Sequence, residues 1–247
     1  MIVVATLLCD RKRSSQLIGI PAAAKLEGDI RLYANIETNF GSTFDQEYHP
    51  VFNFLDSCRI PYDYDVWTWK TSSWKEKPTY DQDQRRLDYI ITARNMARSY
   101  ALSVNASHLL FIDADVRPRP NGLKRLLDLD VPLCGGLVPG RGDHSGAHYV
   151  FGPKTPVKGK PGVFTCTHGT CGYMLIRRDL LQTLSFRHGR SRINPNIKLS
   201  EDPAFCIDAD INGFGKFYID SNAIAEHWDD PMNPLRANDV ARDEDIP

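Results

Sequence analysis

Ile2–Cys9 is a continuous apolar run. A strand this apolar must be covered on both faces, and a parallel sheet between helices supplies that cover. Behind it, strand-length runs alternate with segments of helical period. Gln16–Leu26 reads as helix, Arg31–Ile36 as strand, and Phe44–Cys58 as helix through Phe44, Tyr48, Val51, Phe52 and Leu55. Asp65–Trp69 reads as a third strand and Thr71–Asp83 as a polar loop. The longest helical signal is Gln84–Val104, with Leu87, Ile90, Ile91, Ala97, Ala101 and Leu102 on one face. His108–Ile112 is a short apolar strand, followed by a helix over Asn121–Leu129 and a strand over Val131–Val138. Strand at Tyr173–Ile176, helices at Leu180–Leu184 and Pro203–Asn212, and a last strand at Lys216–Ile219 complete the pattern. The alternation predicts an α/β fold, a mostly parallel central sheet flanked by helices.

A chain of 247 residues buries about 70% of its unfolded surface, so the core needs neither disulfides nor a structural metal. The six cysteines, Cys9, Cys58, Cys134, Cys166, Cys171 and Cys206, form no Cys-x-x-Cys pair and read as reduced, buried thiols. Thirty basic residues against thirty-one acidic ones exclude nucleic-acid binding by bulk basicity, although not a local basic groove. The N-terminal apolar run lacks a basic lead-in and meets Arg11-Lys12-Arg13 at once, so it reads as a strand and not a signal peptide. No apolar run approaches the roughly 20 residues of a membrane span. The expectation is a soluble, cytoplasmic protein.

Asp113-Ala114-Asp115 follows directly on the His108–Ile112 strand. Ligands of open α/β sheets bind at the carboxyl ends of strands, and alternation points both aspartates the same way. Paired carboxylates ionise together at low cost only around a cation, and Mg²⁺ or Mn²⁺ held with diphosphate oxygens suits them. A solvated surface turn would show the same three residues. Ser200-Glu201-Asp202-Pro203 opens a helix, where acidic residues also simply favour the helix dipole. His227 beside Trp228 is the third feature.

Taken in order, Arg94-Asn95 in a long helix, Leu109–Ile112 running into Asp113-Ala114-Asp115, the Gly172–Arg178 segment, Glu201-Asp202 and the late His227 resemble glycosyltransferases of the GT-A fold. The resemblance spans Ile2 to Trp228 and is to the inverting family 2 transferases and the fungal-type mannosyltransferases. It implies a GT-A-like, Rossmann-type domain over residues 1–232, with a nucleotide-sugar half over 1–116, an acceptor half over 117–232, and a polar tail over 233–247. It also implies roles. Asp115, Asp113 and His227 would hold Mn²⁺ or Mg²⁺. Thr6, Arg11, Glu37, Arg94, Asp113 and Ala114 would meet the nucleotide-diphosphate sugar. Gly172, Tyr173 and Trp228 would line the acceptor site, and Asp202, or else Glu201, would be the catalytic base.

The chain departs from the family in places. Cys9-Asp10-Arg11 stands where a proline-initiated turn is usual, and Glu37-Thr38-Asn39 replaces a pair of aspartates. The Gln-x-x-Arg-Trp motif of processive synthases is absent, which favours single addition. A sugar-nucleotide nucleotidyltransferase would need a glycine-rich phosphate loop, and Asp10-Arg11-Lys12-Arg13 holds no glycine. A non-catalytic nucleotide-sugar binding module would not need its acids and histidine. The acceptor stays open among a glycan, a protein and a hydroxymethylated DNA base. The Gly- and Pro-rich stretch Pro139–Thr170, with Arg141, His144, His148, Lys154, Lys158 and Lys160, is the expected acceptor-facing loop.

Overall fold

Alternation along each central strand feeds two separate cores. In β1 (Ile2–Leu8), Ile2 and Val4 enter one cluster while Val3 and Ala5 enter the other. In β4 (His108–Ile112), Leu110 and Ile112 join the first, Leu109 and Phe111 the second. Both faces of the sheet are therefore dry, which is why these strands read as unbroken apolar runs. The computed structural model describes residues 1–8, 26–38, 53, 56, 60–68, 80–138, 161–190, 198–230 and 233–235.

The remaining elements are β2 (Ile30–Thr38), β3 (Tyr62–Thr68), α1 (Tyr80–Ser103), β5 (Val116–Pro118), α2 (Gly122–Asp128), β6 (Leu133–Leu137) and β7 (Val163–Cys166). Then come β8 (Tyr173–Arg177), α3 (Arg178–Thr183), β9 (Gly189–Arg190), β10 (Lys198–Leu199), α4 (Glu201–Ile211), β11 (Phe217–Asp230) and β12 (Asn233–Leu235). The sheet runs β12-β11-β6-β8-β4-β1-β2-β3. β3, β2, β1 and β4 are parallel, β8 is inserted antiparallel between β4 and β6, and β11 runs parallel to β6. The central sheet is thus mostly parallel, as expected. No described helix is long and apolar enough to cross a membrane.

Helix α1 lies on the sheet through Ala93, Ala97 and Ala101, each fully buried. Spacing of four puts them on one line, and their small side chains let the backbone come close. Leu87, Ile90, Ile91 and Leu102 of the expected apolar face are only partly buried.

Three local expectations need correction. The last strand is β11, far longer than Lys216–Ile219. Asp220 and Ser221 look like a strand stop, yet both are buried with their polar atoms satisfied. Arg125 grips Asp220 through Nε and Nη2 at 2.8 and 3.3 Å, and the Ser221 hydroxyl donates to the Gly162 carbonyl. Val163–Cys166, inside the expected irregular stretch, pairs antiparallel with β11, and Asn233–Leu235, inside the expected tail, does the same. The expected helices Gln16–Leu26 and Phe44–Cys58 and most of the Thr71–Asp83 loop lie outside the described residues, apart from single positions. Cys134, Cys166, Cys171 and Cys206 are free and buried, as expected; Cys9 and Cys58 lie outside.

Candidate functional site

β4 delivers its acidic turn at the carboxyl end of the parallel strands. The Asp113 amide donates to the Gly172 carbonyl at 3.1 Å, and the Val116 amide closes a turn on the Asp113 carbonyl at 2.9 Å. The chain then returns as β5. There the register sets His227 opposite Val116, the residue that follows Asp115. Strand pairing alone therefore brings the backbones of Asp115 and His227 together from distant parts of the sequence. Asp115 is 5% exposed, and the Asp113 side chain is 41% exposed.

Arg94 organises the site. Its side chain is 5% exposed, and its guanidinium carbon lies 4.5 Å from the centre of the Phe111 ring. Nη2 donates to Asp113 Oδ1 at 3.0 Å, while Nε stands 3.9 Å from Glu201 Oε1. One buried cation thus joins the β4 turn to the first turn of α4. The resemblance aimed Arg94 at the base or diphosphate; here it is enclosed and spends its charge on two carboxylates.

Burial pushes the Glu201 carboxyl up to about 7, with Asp202 adding to the rise and Arg94 opposing it. Burial also raises Asp202, against a hydrogen bond from the Ser200 hydroxyl at 2.6 Å and the charge of Arg94. His168 is lowered by burial, an effect opposed by Asp202 beside it. Cys171 is raised by burial, against the nearby Arg94. His168 and Cys171 belong to this neighbourhood although nothing in their sequence context marks them.

The sign of the Glu201 effect gives a first expected result. Between its ordinary value and about 7, the folded protein binds the extra proton, so stability falls as pH rises through that window. Glu201→Gln removes the titration. Its unfolding free energy is expected to gain on wild type from pH 5 to pH 8, by about 3 kcal/mol at most. Parallel stability curves for the two proteins would contradict this.

The other expected residues divide clearly. Gly172 stands against Asp113: a Cβ there would lie 3.3 Å from Oδ2 and 3.6 Å from the Thr170 hydroxyl. Thr6 is buried within β1, two residues before its end, its hydroxyl without a hydrogen-bond partner. Ala114 is buried. Tyr173 is not brought to the site. It is fully buried, its ring filling the space left by Gly122 and Gly136, as part of the core beneath β6. Glu37 pairs with Trp67 and Trp228 with Pro234 through the backbone, but their side chains, like that of His227, are outside the described residues. Arg11 and residues 139–160 of the expected acceptor loop, including Arg141, His144, His148, Lys154, Lys158 and Lys160, also lie outside.

Among the described residues, no three His, Cys, Asp or Glu side chains form a ready metal cage. The donor chemistry nevertheless fits a hard divalent cation. Two carboxylates stand in one turn, with a histidine backbone one register step away, the hard oxygen and nitrogen donors such an ion takes.

No protein-family model matches the chain, and no curated protein matches its sequence. Solved structures do. A197 from STIV aligns over 98% of this chain and 97% of its own, at TM-score 0.52 and 14% identity. S. aureus TarS 1-349, in complex with UDP, aligns over 90% of this chain at TM-score 0.53 and 15% identity. The chain spans 58% of that TarS structure. At such identity the likeness establishes the fold alone, a mixed α/β domain with a mostly parallel central sheet flanked by helices.

Proposed function

We propose that the chain is a metal-dependent glycosyltransferase that moves one sugar from a nucleotide-diphosphate sugar to an acceptor hydroxyl, with inversion. The observation that carries this reading is the junction at Arg94. It ties the acidic turn after β4 to the carboxylates that open α4, across the mouth of the parallel strands.

Asp115 and Asp113, with His227, would hold Mn²⁺ or Mg²⁺, which neutralises charge on the departing diphosphate when bound. Thr6, two residues before the end of β1, and Glu37, near the end of β2, would face the nucleoside. Asp202 is the base. It is less buried than Glu201, so an acceptor hydroxyl can reach it, and burial raises its pKa above the ordinary aspartate value. As the acceptor oxygen bonds to C1 of the sugar, the C1–oxygen bond to the diphosphate breaks and the hydroxyl proton passes to Asp202. Attack on the face opposite the leaving group inverts the anomeric centre. Glu201, enclosed with Arg94, holds that guanidinium in place and so steadies Asp113.

Gly172 gives the acceptor room beside Asp113, since any side chain there would press on Oδ2. The acceptor hydroxyl belongs to a glycan, a protein or a hydroxymethylated DNA base. TarS was solved with UDP, so UDP-sugars are the first donors to try. The test is release of nucleoside diphosphate from a panel of sugar nucleotides with Mn²⁺, with and without candidate acceptors. Turnover of one donor is expected; no release from any donor overturns the reading.

A further inference from the structure

Asn95 sits beside Arg94 in α1, yet the reaction just described gives it no part. Its side chain makes a two-bond clamp on a backbone unit far away in sequence. Nδ2 donates to the Phe186 carbonyl at 2.8 Å, and Oδ1 accepts from the Phe186 amide at 2.9 Å. An amide is the one neutral side-chain group that offers both a donor and an acceptor in that spacing.

Phe186 begins a strap that runs between α1 and α4. Its ring stacks on Phe205 of α4, with centroids 4.4 Å apart and planes at 15°. It also meets Phe111 edge-on at 5.5 Å and 86°, and Phe111 is the ring beneath the Arg94 guanidinium. The next residue, Arg187, forks onto Asp208 of α4 at 2.8 and 2.7 Å. Gly189 then packs so tightly on α4 that an added Cβ would lie 2.5 Å from that of Ala204. Through the strap, α4 is fastened to Asn95.

We infer that Asn95 is a positioning residue: by clamping Phe186 it fixes the α4 turn that carries Glu201 and Asp202 relative to Arg94 and Asp113. The catalytic consequence rests on the glycosyltransferase reading above; the placement does not. The aromatic trio transmits position because close-packed rings have few alternative arrangements. On that reading the turn after β4 would hold metal and nucleotide, so loosening α4 would displace the base without removing the donor site.

The test compares Asn95→Asp, which keeps the acceptor oxygen but loses the donor, with Arg98→Ala. Arg98 ties α1 to α3 through the Leu181 carbonyl at 2.6 Å, and serves as a control for general loosening of α1. For Asn95→Asp, which leaves the Phe186 amide its acceptor but strips the Phe186 carbonyl of its donor, amide hydrogen exchange is expected to rise at least tenfold over the first turn of α4. With the active donor, kcat is expected to fall 10- to 100-fold while donor KM stays within twofold. Arg98→Ala is expected to change neither. Unchanged exchange at α4 in Asn95→Asp, equal changes in both variants, or loss of kcat matched by an equal rise in KM overturns the inference. If wild type turns over no donor, the functional reading fails on its own, and the exchange data still decide the placement.

Discussion

Asp202→Asn is expected to lower kcat by roughly 10²–10⁴-fold, the usual cost of removing a general base, while donor affinity stays within a few-fold of wild type. The split follows from position. Asp202 is in the first turn of α4, while the acids proposed to hold the donor belong to the turn after β4. The substitution keeps the shape of the side chain and a partner for the Ser200 hydroxyl, so folding is not at stake. In wild type, activity should decline toward low pH as Asp202 takes up its proton, because burial already raises its pKa. If Glu201→Gln abolished turnover instead and Asp202→Asn left it intact, the roles of the two neighbours would be reversed. Kinetics of both variants across pH 5–8 decide between them.

Arg94→Met is expected to be the most destabilising single change at the site. The arginine is enclosed between Asp113 and Glu201 and lies over Phe111. Removing one partner of a buried pair typically costs about 3–5 kcal/mol, because the remaining charge is left in a poor solvent. Glu201 is that remaining charge, and protonation relieves it. The loss should therefore be larger at pH 8 than at pH 5, and Arg94→Met combined with Glu201→Gln should recover much of it. Such non-additivity is the mark of a shared interaction. Chemical denaturation of the two single variants and the double variant supplies the measurement. Simple additivity at pH 8 would show that Arg94 and Glu201 do not share their burial.

Much of this arrangement is legible from the chain itself, for reasons that lie in particular residues. β1 and β4 announce themselves because both their faces are dry, and the acidic turn after Ile112 stands out against that background. Elsewhere the local signal misleads. Asp220 and Ser221 look like the end of a strand because their partners, Arg125 and Gly162, come from other elements. Glu201 looks like an ordinary helix-opening acid, and only the fold reveals Arg94 beside it. The resemblance places Tyr173 at the acceptor site, whereas its ring is needed to fill the hollow at Gly122 and Gly136. The meeting of Asp115 with His227 depends on β5 folding back against β11, a pairing three residues long that periodicity does not reveal.

On the proposed reading, the turn after β4 and the His227 strand together form a site for a divalent cation and a nucleoside diphosphate. Calorimetric titration of UDP, and then of GDP, into the full chain with and without Mn²⁺ tests it most directly. At least one of them is expected to bind at least tenfold more tightly with the cation present. Affinity that does not change with Mn²⁺, or no binding of either nucleotide, would contradict it.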